Sequence, residues 1–194
     1  MKSKKLALVG AGGHAREVMM QMGKELPCFV EDKFHISGVN FLLSKFDPNE
    51  YSIMIAIGDS QIRNSIIKKL PSNSSYFSFI HPTAIIGNDV TIGKGCFIGV
   101  YSIITSNVQI GNHTILNRSN HIGHDTVVGD HFSMMPGAIV SGNVSIGDNV
   151  YLGTNSTIRE KITICNDVVL GLNSGVISNI VEKGIYAGTP AIKK

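Results

Sequence analysis

The chain has 194 residues, which suits one large domain or one medium and one small domain. Its 17 basic and 14 acidic residues leave a formal net charge of +3, too mild an excess to favour nucleic acid or membrane surfaces. No stretch approaches the roughly 18 uninterrupted apolar residues of a membrane span. The three cysteines, Cys28, Cys96 and Cys165, form neither a CxxC pair nor a disulfide framework, so a reducing cytoplasmic setting is expected.

In chain order, Met1 to Lys5 is basic, and the apolar run Leu6–Val9 that follows is too short for a signal-peptide core. Lys4–Val9 reads as a first strand that ends in Gly10-Ala11-Gly12-Gly13-His14. Beyond it, Ala15, Val18, Met19 and Met22 fall at i, i+3, i+4 and i+7, the apolar face of a helix. Pro27–Val30 reads as a second strand ending in Glu31-Asp32, and Ser52–Ile57 as a third ending in Gly58-Asp59. Ile62, Ile66, Ile67 and Leu70 then keep helical spacing behind Asp59, a plausible N-cap, and Tyr76–Ile80 reads as a last strand. The order β-α-β then β-α-β predicts a small parallel α/β unit over residues 1–79.

The turn after the first strand suits a phosphate, because glycines let backbone approach an anion and helix-start N–H groups point at it. Glu31 and Asp32, about twenty residues on, sit where ribose or sugar hydroxyls would be bound. Gly10, Gly12 and Ala15 also fit a loose GxGxxA dinucleotide fingerprint, and a structural turn without ligand is a third reading. Only one mononucleotide-sized half is present, which favours half a dinucleotide.

Residues 80–194 carry the strongest signal. From Ile86 to Val176 every sixth residue, sixteen in a row, is aliphatic or Met. Position two of each block is often Gly, as in Gly87, Gly93, Gly99, Gly111, Gly123 and Gly129, and position five is mostly small or β-branched. Each block makes one short strand and one corner, and three blocks close a triangular coil. The leading aliphatic residues point inward, and the corner glycines are expected to supply positive φ and close approach. Coil stacks on coil, as in other repeat proteins.

Of seven histidines, His124 stands out because Asp125 follows it in the block Ile122-Gly123-His124-Asp125-Thr126-Val127. An imidazole at that corner can take a proton from an attacking amine or hydroxyl near neutral pH, and the carboxylate can hold its tautomer and raise its basicity. A solvated surface histidine is the competing reading.

The unbroken hexapeptide run, the Gly10–His14 loop, the Ala56-Ile57-Gly58-Asp59 turn and the tail Ala187-Gly188-Thr189-Pro190-Ala191 together resemble one family. It is the nucleotide-sugar N-acetyltransferases related to bacillosamine N-acetyltransferase, grouped with sialic acid O-acetyltransferases. The resemblance implies a Rossmann-like nucleotide-sugar-binding domain followed by a left-handed parallel β-helix and a C-terminal tail. It implies His124 as general base and Asp125 as its supporter. It places the sugar nucleotide on Gly12, Gly13, His14, Glu31, Asp32 and Gly58, and acetyl-CoA along the β-helix near Ser133, Gly142, Thr154 and Leu172. Relatives often carry His where this chain has Ser133, and His131 is a candidate to substitute by a small shift.

The implied reaction is direct transfer from acetyl-CoA to the 4-amino group of a nucleotide-linked 4-amino-4,6-dideoxyhexose, for surface polysaccharide, lipopolysaccharide or glycan, by a cytoplasmic homotrimer without metal. A backbone N–H near Gly142 is a candidate to polarise the thioester carbonyl. Three rivals remain open. One is an O-acetyltransferase of a free sugar such as sialic acid. Another is a γ-carbonic-anhydrase-like zinc enzyme gathering His113, His121 and His124 across a subunit interface. The third is a non-catalytic solenoid.

Overall fold

The computed structural model describes residues 3–194; Met1 and Lys2, the start of the basic N-terminal stretch, lie outside the described residues. Five parallel strands form the first sheet: β1 (Lys5–Val9), β2 (Cys28–Val30), β3 (Phe41–Leu42), β4 (Tyr51–Ile55) and β5 (Ser75–Tyr76), in the order β3-β2-β1-β4-β5. Two helices cross between them, α1 (Gly13–Met22) and α2 (Ser60–Ile67). α1 buries Ala15 and Val18, and Gly23 ends it in the left-handed conformation. The Asp59 side chain caps α2 by accepting from Ile62 N–H at 2.8 Å. β3, with its two residues, has too little periodicity for the sequence to reveal it.

Tyr76–Ile80 is not one strand. Tyr76 closes the first sheet, whereas Phe79–Ile80 pairs with Phe97–Ile98 in the second body. The chain changes partners across Phe77-Ser78, so the apolar run that reads as one strand is two.

The second body is a left-handed parallel β-helix of triangular section, whose core is the run of leading aliphatic residues. Ile98, Leu116, Met134, Leu152 and Leu170 pair in register through successive coils and are fully buried. Full burial of each such side chain contributes roughly 2 kcal/mol. Position-five residues such as Ser102, Val108, Thr114, Thr126 and Ala138 turn inward at the corners and are equally buried.

The corners divide the conformational work between two positions. The position-two glycines do not have positive φ. They are required because the next coil passes too close: a Cβ on Gly129 would lie 2.7 Å from Gly147 carbonyl carbon, and one on Gly111 2.5 Å from Gly129 carbonyl carbon. Positive φ falls instead on position four, at twelve non-glycine residues that include Asn107, His113, Asp125, His131, Asn143 and Lys161. Asn, Asp and His tolerate that region best, which explains why they recur there. Of the two expected glycine roles, close approach is found and positive φ moves two residues on.

The three walls differ in what they present. The docking wall (outward residues Phe97, Ile115 and Ser133) is covered by the α/β unit. The polar wall presents Thr91, Gln109, Ser145 and Thr163, with Val127 its one apolar residue. The apolar wall presents Ile85, Ile103, His121 and Ile139 in one stacked column, with Ile85 63% and Ile139 38% exposed. No helix among the described residues is long and apolar enough to cross a membrane.

A Gly129→Ala change should lower the melting temperature sharply, since its Cβ meets backbone that cannot move without shifting a coil. Ser119→Gly, at φ 56°, should leave it unchanged or higher, because it removes a strained left-handed residue. Thermal unfolding followed by circular dichroism checks both.

Candidate active site

The α/β unit is held on the β-helix by one buried cation. Arg63, on α2, is fully buried in the seam. Its Nε donates to His113 O at 2.8 Å, Nη1 to Ile57 O at 2.7 Å and Gly58 O at 3.2 Å, and Nη2 to His131 O at 2.6 Å, Phe132 O at 3.1 Å and Ser133 Oγ at 2.9 Å. Burial pulls its pKa down to about 10, still far above neutrality. A planar fork with five N–H donors suits this ring of carbonyls; an ammonium would leave several unpaired.

Ser133 takes part in this arrangement. Expected beside acetyl-CoA, it is fully buried: its hydroxyl accepts from Arg63 and donates to Gly58 O at 2.8 Å. The position belongs to the docking wall, and α2 lies over it. His131 does not take its place either. It stacks on His113 with ring centroids 5.4 Å apart and an interplanar angle of 5°, and Tyr76 meets His113 edge-on at 4.6 Å. Desolvation, helped by the neighbouring His131 and Arg63 charges, holds His113 down to about 4 and lowers His131 in the same way. With His113 closed in the seam, the zinc reading through His113, His121 and His124 has no shared site. Among the described residues no group of three or more His, Cys, Asp or Glu is placed to hold a metal.

The glycine loop opens onto a cavity of about 590 Å³ at the carboxyl ends of β1, β2 and β4. Gly10, Gly12, Phe29, Glu31, Phe34 and Ile57 are among its walls. Gly10 has φ +108° and a Cβ there would meet Ala56 O at 2.9 Å, so the turn needs glycine. At Gly12 and Gly58 a Cβ would meet nothing within 4 Å, leaving backbone open to an approaching group. The expected sugar-nucleotide residues divide. Gly12 and Glu31 line this cavity; Asp32 faces a shallower recess with Lys33 and Lys69, and Gly58 lines a groove along Tyr151 and Ile185. Gly13 starts α1 beside the cavity without lining it. Lys69 and Lys33 pair with Glu31, and the Lys69 hydrogen bond holds its carboxyl below the usual range.

His14 is turned into the seam. Its ring stands edge-on to Phe97 at 5.2 Å, burial lowers its pKa, and Nδ1 faces Glu17 at 3.6 Å. Glu17 in turn pairs with Arg118 of the β-helix at 2.8 Å, and Gln21 accepts from Val100 N–H at 2.8 Å. These contacts lay α1 over the corner between the docking and apolar walls.

His124 lies across the apolar wall, at the corner with the polar wall. Its Nδ1 is 2.7 Å from Asp125 Oδ2, and the ring is 58% exposed. The other carboxylate oxygen accepts from Asn107 Nδ2 at 2.7 Å; this bond first, and the His124 contact second, hold Asp125 below its ordinary pKa. Gly142 lies against the imidazole: a Cβ on it would fall 2.7 Å from His124 Nε2. Thr154 and Leu172, also expected near acetyl-CoA, are exposed at the opposite corner, on the same edge as α1. Within one chain the His124–Gly142 pair and the Thr154–Leu172 pair do not converge. Asn107 was not singled out by the sequence reading. The signal was there, since it lies eighteen residues before Asp125, one coil away.

Residues 5–70 match the PglD N-terminal domain and residues 125–160 the bacterial transferase hexapeptide (six repeats). The chain thus carries a PglD-type N-terminal segment and a hexapeptide-repeat segment. No curated protein matches it by sequence. Among solved structures it is similar to PerB from Caulobacter crescentus in complex with CoA and GDP-perosamine, at 24% identity, TM-score 0.88, covering 100% of this chain and 98% of that one. It is similar to the acetyltransferase domain of PglB from Neisseria gonorrhoeae in complex with acetyl coenzyme A, at 24% identity, TM-score 0.85 and 100% of both chains. A third is WeeI from Acinetobacter baumannii, at 22% identity, TM-score 0.85, covering 98% of this chain and 99% of that one. At these identities the likeness is one of fold.

Two outcomes test the seam. Arg63→Lys should cost roughly 3 kcal/mol of unfolding free energy, from carbonyls left unpaired, and denaturant titration measures it. His113 and His131 are held neutral in the folded chain, so the unfolded chain binds more protons between about pH 6.5 and 4. Stability should therefore be full above pH 6.5 and fall by on the order of 3 kcal/mol toward pH 4. A His113→Phe chain should lose much of that slope.

Proposed function

We propose that this protein is an acetyl-CoA-dependent N-acetyltransferase acting on the 4-amino group of a nucleotide-linked 4-amino-4,6-dideoxyhexose. The observation that carries the reading is the exposed His124–Asp125 pair on a corner of the β-helix, with the imidazole seated against Gly142. Nδ1 is engaged by the carboxylate, which leaves Nε2 as the free base. The open backbone at Gly12, beside the apolar cavity, supports a nucleotide diphosphate as the handle of the acceptor. The similar proteins from Caulobacter and Neisseria, crystallised with CoA and GDP-perosamine or with acetyl coenzyme A, support the same pair of substrates.

The site is assembled by a homotrimer. An apolar wall with isoleucines at its surface, between two corners that each carry half of the expected residues, calls for a partner. Three prisms with that wall turned to a common axis bring His124 of one copy to Thr154, Leu172 and α1 of the next. The sugar nucleotide then arrives on one subunit and meets the base of its neighbour.

In the reaction, the amine attacks the thioester carbonyl and a C–N bond forms. His124 Nε2 takes the amine proton, Asp125 stabilises the imidazolium, and a backbone N–H near Gly142 meets the developing oxyanion. The C–S bond then breaks and CoA leaves as the thiol, receiving the proton from His124. Holding two substrates end to end supplies much of the rate.

His124→Ala should cut turnover, read as free thiol released from acetyl-CoA with a panel of amino-sugar nucleotides, by two orders of magnitude or more while leaving the trimer intact. Near-normal turnover would remove His124 from its role. Failure of UDP, dTDP and GDP alike to bind in calorimetry would remove the nucleotide handle.

A further inference from the structure

The structure assigns to Asn107 the role of positioning residue for the His124–Asp125 pair; the inference rests on the reading of His124 as the base. Among the described residues Asp125 is the one hydrogen-bond partner of the His124 ring, and it sits at a corner where it is 45% exposed. A carboxylate on the surface rotates freely and spends much of its time turned to water. Here one oxygen is taken by Asn107 Nδ2 at 2.7 Å, which leaves the other, also at 2.7 Å, for His124 Nδ1. The Asn107 bond is also the leading cause of Asp125's lowered pKa.

The backbone prepares both partners. Asn107 and Asp125 have φ 52° and 58° and stack one coil apart at position four, so their side chains leave the prism in parallel. Asp125 N–H donates to Ser106 O, and Asn143 N–H donates to His124 O, which fixes the coil on either side. Ser106 and Asn107 above and Gly142 and Asn143 below do not titrate, so Asp125 is the one charged group in contact with the ring. Glu160 and Lys161 stand a further coil away.

The test is Asn107→Gly, which removes the amide and relaxes the left-handed backbone instead of straining it. The expected results are a fall in kcat of tenfold to a hundredfold, unchanged KM for both substrates, and an unchanged melting temperature. Independently of activity, the His124 ring nitrogens, followed by 15N imidazole NMR in the free protein, should lose the preference for the Nδ1–H tautomer as the ring loses its held partner. Wild-type kcat together with an unchanged tautomer ratio, in a preparation where His124→Ala is inactive, overturns the proposal. If His124→Ala proves active, it is the base assignment that fails, and the tautomer ratio in Asn107→Gly alone decides whether Asn107 positions the pair.

Discussion

A parallel β-helix must return to the same lateral position after every coil, so that each residue lies on the one eighteen places before it. That register governs this chain. It stacks Ile98, Leu116, Met134, Leu152 and Leu170 into a continuous core, and at blocks such as those of Gly111 and Gly129 it brings the second residue so close to the next coil that a Cβ would meet backbone. It also sets a left-handed residue at the fourth position of every corner from Gly95 to Asn173, which Asn, Asp and His meet at a lower cost than most. The proposed chemistry occupies these same places. His124 stands at position three, Asp125 and Asn107 at position four, and Gly142 at the position below the ring. The residues that turn the corner are thus also those that face outward from it.

The second constraint is the seam. The α/β unit packs one face of its sheet into a core of its own, around Val9, Phe29 and Ile53, and shares the apolar residues of the other face with Phe97 and Ile115 of the β-helix. Arg63 fixes their relation by collecting carbonyls from both bodies around a single guanidinium. Burying a cation without an ion-pair partner is costly, and here backbone dipoles offset it. The glycine loop and the cavity beside it are held on the β-helix by this plug and by the Glu17–Arg118 tie. Ser133 serves the seam through its contacts with Arg63 and Gly58.

What one chain leaves unfinished is as informative as what it builds. Isoleucines on the apolar wall are out of keeping with the threonines and glutamine of the polar wall next to it. The two edges of the apolar wall carry different halves of the expected site residues, which is the division that the proposed trimer would bring together.

The sequence alone determined the second body. A strict six-residue rhythm admits one period, one inward face and one stacking offset, so the β-helix, its core and the corner position of His124 were legible from Ile86 onward. The helices α1 and α2 were legible from apolar spacing, and the Asp59 cap from its residue type. Tertiary structure decided everything that depends on how the two bodies meet: that Tyr76–Ile80 divides between them, that His14 and Ser133 turn into the seam, that Arg63 closes it, and that His113 and His131 are kept neutral inside it. Those outcomes arise from contacts between residues such as Arg63 and Phe132, sixty-nine positions apart, and no local period encodes such a pair. Asn107 lies between the two cases. Its offset from Asp125 was fixed by the repeat, but only the coordinates show an amide aimed at the carboxylate instead of at water.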